Sequence, residues 1–408
     1  MKKQAEAERI QQHLYHLASF SATARGVTRL PFSKEAQQAA DYLSEAMTVA
    51  GLTVYIDNTG AVHGIREGRK PKRIVIGSHY DSVPEGGAFD GVAGVVCGIE
   101  LARLLQETEL AYGLEVVAFN DEEGVRFGDG FLSSKALLGE LSLTELNTHQ
   151  DDKGISIYEA AAAAGFQPEK IAEECWKLEN LRAFFEIHVE QGGVLEYKQQ
   201  PLGLVSGIVG MRRYRIELTG QADHAGTTPM ELRHDAMIPA AAVILAAQAA
   251  AQSFPGAVAT VGSLHVVPDA VNTVASQVVL SLDLRSMKKA ELDGMTQEIF
   301  ASLDQSADRS DIKVTIVPTL TSQPGYMDDI LQGYLRDSAR RRGIEPLAMT
   351  SGAGHDALPI SAKVPTAMLF VPSRNGRSHC PEEWSDCQEL ALAVDTLCDT
   401  ILTMNMEE

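Results

Sequence analysis

Four short apolar runs constrain this chain more than any other feature. They are Arg73–Gly77 (RIVIG), Leu114–Phe119 (LEVVAF), Ala183–Val189 (AFFEIHV) and Thr366–Val371 (TAMLFV). Each has the length and residue types of a strand. Helical patterns over Val92–Leu105 and Ile155–Ala164 lie between them. Another helix is predicted behind an N-cap at Ser33, where Ala36, Ala39, Ala40, Leu43, Met47 and Ala50 recur at helical spacing and Gly51 ends the run. Alternation of this kind predicts an α/β domain with a mostly parallel sheet flanked by helices.

The middle of the chain has a different rhythm. Strands are predicted at Tyr214–Leu218, Val278–Arg285 and Ile312–Val317, and helices at Glu231–Gln252 and Lys289–Leu303. Strand and helix in this order predict a small α+β sheet with one helical face. We expect it to be a lid-like domain over 210–325, inserted into a domain built from 1–209 and 326–408. A length of 408 residues also exceeds what one hydrophobic core usually serves, ~250–300 residues.

Composition removes several classes of partner. The 35 Lys+Arg against 55 Asp+Glu leave a formal charge of −20, which argues against a nucleic acid, whose phosphates need clustered cations. The stretch MKKQAEAERI has no apolar run behind its lysines, so no signal peptide is expected there. The most apolar helical stretch, Ala236–Ala251, contains Pro239 and Gln248 and is too short to span a bilayer. Five cysteines, an odd number with no CxxC pair, predict neither a disulfide framework nor a thiolate zinc site, and fit a cytoplasmic protein.

The chemistry-bearing residues gather where the predicted strands end. His79 follows the first run, in GSHYDSVPEGGAFDG, with Asp81 placed to accept the second imidazole N–H and Asp90 in a Gly-rich loop. Asp121, Glu122 and Glu123 follow the second run, and three adjacent acids are cheap only in water or beside a cation. Glu186, His188 and Glu190 share one face of the third, and His379 lies in the loop after the fourth. Singly, each has an ordinary reading: a polar loop, a solvated acidic turn or a satisfied core histidine. Jointly they lie beyond the carboxyl ends of strands, where open α/β sheets bind ligands. Imidazole and carboxylate without thiolate suit a catalytic divalent metal such as Zn, Mn or Co. Three histidines and two carboxylates exceed one open zinc site and suit two ions sharing a carboxylate. Glu122, beside the presumed ligand Glu123, is the natural proton shuttle. In the inserted segment, Arg285 alternates off the apolar face of its strand and suits a substrate carboxylate, with a surface ion pair as the equal alternative. His224 and Asn272 suit a developing oxyanion.

Together these segments resemble the N-carbamoyl-L-amino-acid hydrolase and allantoate amidohydrolase family, dinuclear-metal amidases built like metallo-exopeptidases. The resemblance runs through GVTRLPFS, GSHYDSV, GGAFDG, EEGVRF, EIHVEQG, DHAGTTPM, DLR, SGAGHDA and NGRSHCPEE, nearly the whole chain in order. It implies His79, Asp90, Glu123, His188 and His379 as ligands of two divalent ions per subunit, with Asp90 bridging. It implies Glu122 as general base and acid, and Gln191, His224, Asn272, Arg285 and Gly354 as substrate contacts. It further implies a homodimer through the lid, with His224 serving the partner subunit's site. Two segments depart from the family pattern: Asn272-Thr-Val-Ala-Ser replaces NVIPG, and Arg377 and Cys380 flank His379. The expected activity is hydrolysis of an N-carbamoyl-L-amino acid. Allantoate is the nearest alternative, an N-acyl amino acid or dipeptide a more distant one, and a non-catalytic binding protein the alternative of another class.

Overall fold

The four apolar runs form the centre of a nine-stranded sheet. In order across it the strands are Thr53–Ile56, Val62–Arg66, Gly113–Phe119, Arg73–His79, Leu181–Val189, Thr366–Val371, Gly203–Ile208 and Gly325–Tyr326, with Leu347–Ser351 paired to Gly203–Ile208. The computed structural model describes residues 4–406, so the first three residues of the stretch considered above as a leader lie outside the described residues. The chain divides into two compact units, one formed by residues up to Gly207 together with those from Tyr326, the other by Ile208–Gly325.

The parallel character belongs to the centre of the sheet. Gly113–Phe119, Arg73–His79, Leu181–Val189 and Thr366–Val371 run parallel to one another and are buried along nearly their whole length. The flanking pairs are antiparallel: Thr53–Ile56 on Val62–Arg66, Val62–Arg66 on Gly113–Phe119, and Gly203–Ile208 on Thr366–Val371. In register, His79 lies opposite Phe119 and His188 opposite Phe370. The carboxyl ends of the four central strands therefore face the same way.

Helices cover the sheet. Lys34–Val49 is capped as its sequence predicts, the Ser33 side chain accepting the Ala36 N–H. Val92–Leu105 is buried almost throughout, and its buried Glu100 is paired with Arg9 and Arg103. It packs with Cys387–Met406 and the sheet in a core that includes Ile76, Val95, Leu101, Val116, Ile187, Leu369 and Leu397. Each such side chain contributes ~1.5–3 kcal/mol when fully buried.

The second unit is a five-stranded antiparallel sheet. In its strand Gln277–Ser286, Val278, Leu280, Leu282 and Leu284 are buried and alternate with partly exposed residues. The buried set packs against Ala240, Val243 and Ala247 of helix Met237–Ser253 and Leu292, Met295 and Ile299 of helix Lys289–Ser310. The first of these helices starts six residues later than its apolar pattern predicts. A start at Glu231 would put Pro239 in the helix interior, where it removes a hydrogen bond; a start at Met237 puts it in the first turn, where it is tolerated.

Candidate metal centre and active site

His79 is the last residue of its strand, and its imidazole is held from below. Its Nδ1 lies 3.1 Å from the Asp81 carbonyl oxygen and 3.6 Å from Asp81 Oδ1. The backbone carbonyl, rather than the carboxylate expected from the sequence, is the closer acceptor. The Asp81 carboxylate instead accepts the N–H groups of Glu122 (3.1 Å) and Glu123 (3.3 Å), tying the loop after one strand to the loop after its neighbour. His188 is fixed the same way, its Nδ1 lying 2.8 Å from the Val189 carbonyl. Both rings thus turn Nε2 towards Asp90.

Asp90 reaches this point because the chain turns sharply after it. Gly91 has φ 65°, and a Cβ there would stand 2.4 Å from the His79 ring. Only glycine allows that approach. Asp90 Oδ1 lies 3.6 Å from His79 Nε2 and 3.2 Å from His188 Nε2. Its Oδ2 lies 3.1 Å from His379 Nε2, which is itself 3.4 Å from Glu123 Oε1. The two oxygens of one carboxylate therefore face two different groups: His79 with His188, and His379 with Glu123. Glu122 Oε2 is 3.9 Å from His79 Nε2 and belongs with Glu123 to a third overlapping group.

The acidic loop is not a solvated turn. Asp121 and Glu122 are buried, Glu123 nearly so, and neither Asp121 oxygen has a hydrogen-bond partner among the described residues. Burial is the main reason the Glu122 carboxyl is held well above the usual carboxylate range, with Glu123, Asp356 and Asp81 adding to it against the opposing pull of His79. Burial and the Asp90 charge likewise push Glu123 up to about 7. Burial opposes the charge on Asp90, but contacts with His188, His379 and His79 outweigh it and hold that carboxylate well below its usual range. His379 is raised to about 9, chiefly by its hydrogen bond to Asp90. In the metal-free protein, protons on imidazoles thus offset a concentration of negative charge.

The donor set fits divalent cations. Asp90 Oδ1 is buried with no hydrogen-bond partner among the described residues. The ligand atoms of His79, Asp90 and His188 lie within 4.8 Å of one another, as do those of Asp90, Glu123 and His379. All are hard oxygens or imidazole nitrogens.

Around the cluster, Gln191 Nε2 donates to Asp90 Oδ2 at 2.9 Å. Glu186 accepts from Ser78 Oγ and the Ala357 N–H, and Glu190 from the N–H groups of Val194 and Leu195. Gly354 lies in the loop before helix Ala357–Ser361, next to His355, whose buried ring packs 4.4 Å from that of His188. Some supporting residues carry no role in the sequence reading. Arg29 is 2% exposed and donates to the carbonyls of Tyr80, Leu17 and Phe20, fixing the chain between His79 and Asp81. Glu383 is another. GVTRLPFS and NGRSHCPEE contain them, but spacing alone does not distinguish a buried tie from a surface charge.

His224, Asn272 and Arg285 belong to the second unit. His224 Nδ1 accepts the N–H groups of Gly226 (3.0 Å) and Thr227 (3.2 Å), which puts the proton on Nε2 and leaves that exposed ring with an N–H to donate. Asn272 is beside it: its carbonyl accepts the Ala225 N–H, and His224 bridges Thr273. Arg285 donates through Nε and Nη2 to the two oxygens of Asp283, at 2.8 and 3.2 Å, and Arg213 donates to the same carboxylate.

A parallel-centred sheet with an inserted α+β unit, and imidazoles and carboxylates massed at its strand ends, defines a hydrolytic class. Residues 75–403 match Peptidase family M20/M25/M40, and the chain belongs to that family, as a hydrolase acting on amide C–N bonds. It is 39% identical over 393 residues to an N-carbamoyl-L-amino-acid amidohydrolase of Paenarthrobacter aurescens, with 95% of each chain covered. It is 32% identical to the allantoate amidohydrolase of Bacillus subtilis, with 96% of each covered. Among solved structures, an amidase of the hydantoinase/carbamoylase family from Burkholderia multivorans superposes with a TM-score of 0.88 at 31% identity, covering 98% of each chain.

Proposed function

We propose that this protein hydrolyses the carbamoyl C–N bond of N-carbamoyl-L-amino acids at a dinuclear centre. The observation that carries the reading is Asp90, whose two oxygens face two separate ligand groups. His79 and His188 would hold one ion and Glu123 and His379 the other, with Asp90 shared between the two groups. Zn, Mn and Co each accept imidazole and carboxylate ligands of this kind. When bound, such an ion pair lets water act as a nucleophile at neutral pH.

The chain's own residues do the rest. Glu122, buried within reach of His79 and beside Glu123, takes as a carboxylate the proton of the attacking water and passes it to the leaving nitrogen. His224 donates its Nε2–H, with Asn272 beside it, to the oxygen of the tetrahedral carbon. Arg285 pairs with the α-carboxylate while Asp283 holds its Nε edge, and Gln191 and Gly354 contact the substrate. The amine that leaves is the free amino acid, and the carbamic acid left behind breaks down to CO2 and ammonia.

Allantoate is the second reading, favoured by the 32% identity to the Bacillus subtilis enzyme. Rates on a panel of N-carbamoyl-L-amino acids and on allantoate, with Mn, Co or Zn supplied, decide between them. We expect the N-carbamoyl acids to give the higher kcat/KM; a preference for allantoate would transfer the assignment.

The second unit carries the lid and dimer reading. Ile238, Ile244 and Leu245 are 53%, 41% and 68% exposed on helix Met237–Ser253, an apolar face that a second copy would cover. No helix among the described residues is long and apolar enough to cross a membrane. Together with the cysteine usage, that fits the cytoplasm.

A further inference from the structure

Glu383 lies beneath the bridging carboxylate, not among the grouped ligands. It is 4% exposed. Its Oε1 accepts the backbone N–H groups of Phe89 and Asp90, both at 2.9 Å, and its Oε2 accepts the Ser378 hydroxyl at 2.6 Å. One side chain thereby joins the loop that carries Asp90 to the loop that carries His379, 293 residues of sequence apart at Asp90.

Both loops need holding. His379 has φ 56°, in the left-handed region, so its backbone is not set by local preference. Asp90 must present Oδ1 to one group and Oδ2 to another, which fixes its carboxylate in two directions at once. The packing also points to a built contact. A Cβ on Gly87 would stand 2.1 Å from Glu383 Oε1, so glycine lets the Asp90 loop close onto this carboxylate. Burying a second acid next to Asp90 is unfavourable in itself. The three donors that meet it offset that cost.

We propose that Glu383 is a positioning residue for the dinuclear centre: by accepting from Phe89, Asp90 and Ser378 it aims the two Asp90 oxygens at different ions and keeps His379 opposite. The inference rests on the dinuclear reading above. Glu383→Gln separates hold from charge. Its Oε1 can still accept both N–H groups, and its amide can donate to the Ser378 oxygen. Glu383→Ala removes all three ties.

The test is Mn2+ affinity and stoichiometry on chelator-stripped protein, measured by competition with a chelator of known affinity. Melting curves of the metal-free variants accompany it. Supporting residues of this kind are typically worth about 10–100-fold in metal affinity. We expect Glu383→Ala to lose that much and Glu383→Gln to stay within a factor of a few of wild type. Wild-type affinity in Glu383→Ala overturns the proposal. So does a Glu383→Gln variant that falls as far as the alanine, since charge and not the hold would then be responsible. Should Glu383→Ala lack a cooperative melt, Ser378→Ala replaces it, with weakened Mn2+ binding expected and wild-type binding overturning. A wild type that binds fewer than two ions defeats the dinuclear reading, and this proposal with it. A wild type that binds two, with unaffected variants, defeats this proposal alone.

Discussion

Asp90 and Glu122 are both buried carboxylates in one cluster, yet their surroundings push them in opposite directions. Three imidazoles hold Asp90 in its charged form, while burial and three neighbouring acids favour the protonated form of Glu122. That divergence separates a bridge from a proton carrier. Glu122→Gln should therefore keep the metals and lose ~10²–10⁴-fold in kcat, which metal analysis and steady-state rates on one sample will check. A variant with near-normal kcat would move the general base elsewhere. The same charges make metal uptake pH-dependent. Without metal His379 is raised to about 9 and Glu123 to about 7, so at neutral pH His379 holds a proton and Glu123 is about half protonated, and a cation must displace both. Affinity should rise with pH up to about 9, the range in which His379 loses its proton. Calorimetric titrations of Mn2+ at pH 7 in buffers of different ionisation enthalpy should show proton release. Observed heats that do not vary with the ionisation enthalpy of the buffer would contradict this charge arrangement. His79, Asp90, Glu123, His188 and His379 come together as grouped side chains, and the sequence points to them because each lies at the end of, or in the loop after, a strand that is itself legible. The acceptors that orient them are not, because backbone carbonyls carry no side-chain signature.

At the scale of elements, the central strands are readable because burial on both faces forces an unbroken apolar run. The outer strands are not. Thr53–Ile56 is mostly exposed, so its composition resembles a loop. Pairing direction does not appear in composition either, which is why the antiparallel flanks lie outside a reading based on runs. The turn between Asp90 and helix Val92–Leu105 depends on one residue. Gly91→Ala should be destabilising, because φ 65° and ψ −58° with the Val92 N–H on the Asp90 carbonyl form a strained γ-turn, and its Cβ, 2.4 Å from the His79 ring, should also displace that ligand. Gly154→Ala is the matched control, because Gly154 has φ 75° with nothing within 4 Å of a Cβ. Denaturant melts should show both variants destabilised, while only Gly91→Ala loses metal affinity. Equal metal binding in the two would mean that the glycine serves the backbone alone.

For the whole molecule, the proposed function assigns the metals to one unit and substrate contacts to the other, and predicts that two copies cooperate. Mixing His224→Ala with Glu122→Gln chains examines that directly. If His224 serves the partner's site, each mixed dimer has one site with both defects and one with neither. Random exchange should then restore about a quarter of wild-type activity. No recovery after demonstrated exchange would keep His224 within its own chain. The proposed pair of ions at Asp90 is tested most directly by stepwise reconstitution. Chelator-stripped wild type is given Mn2+ in fractional equivalents, and release of the amino acid from an N-carbamoyl-L-amino acid is followed at each addition. The predicted result is no turnover without metal and a rate that saturates at two equivalents per chain. Full activity in stripped protein, or saturation at one equivalent, would contradict the dinuclear centre.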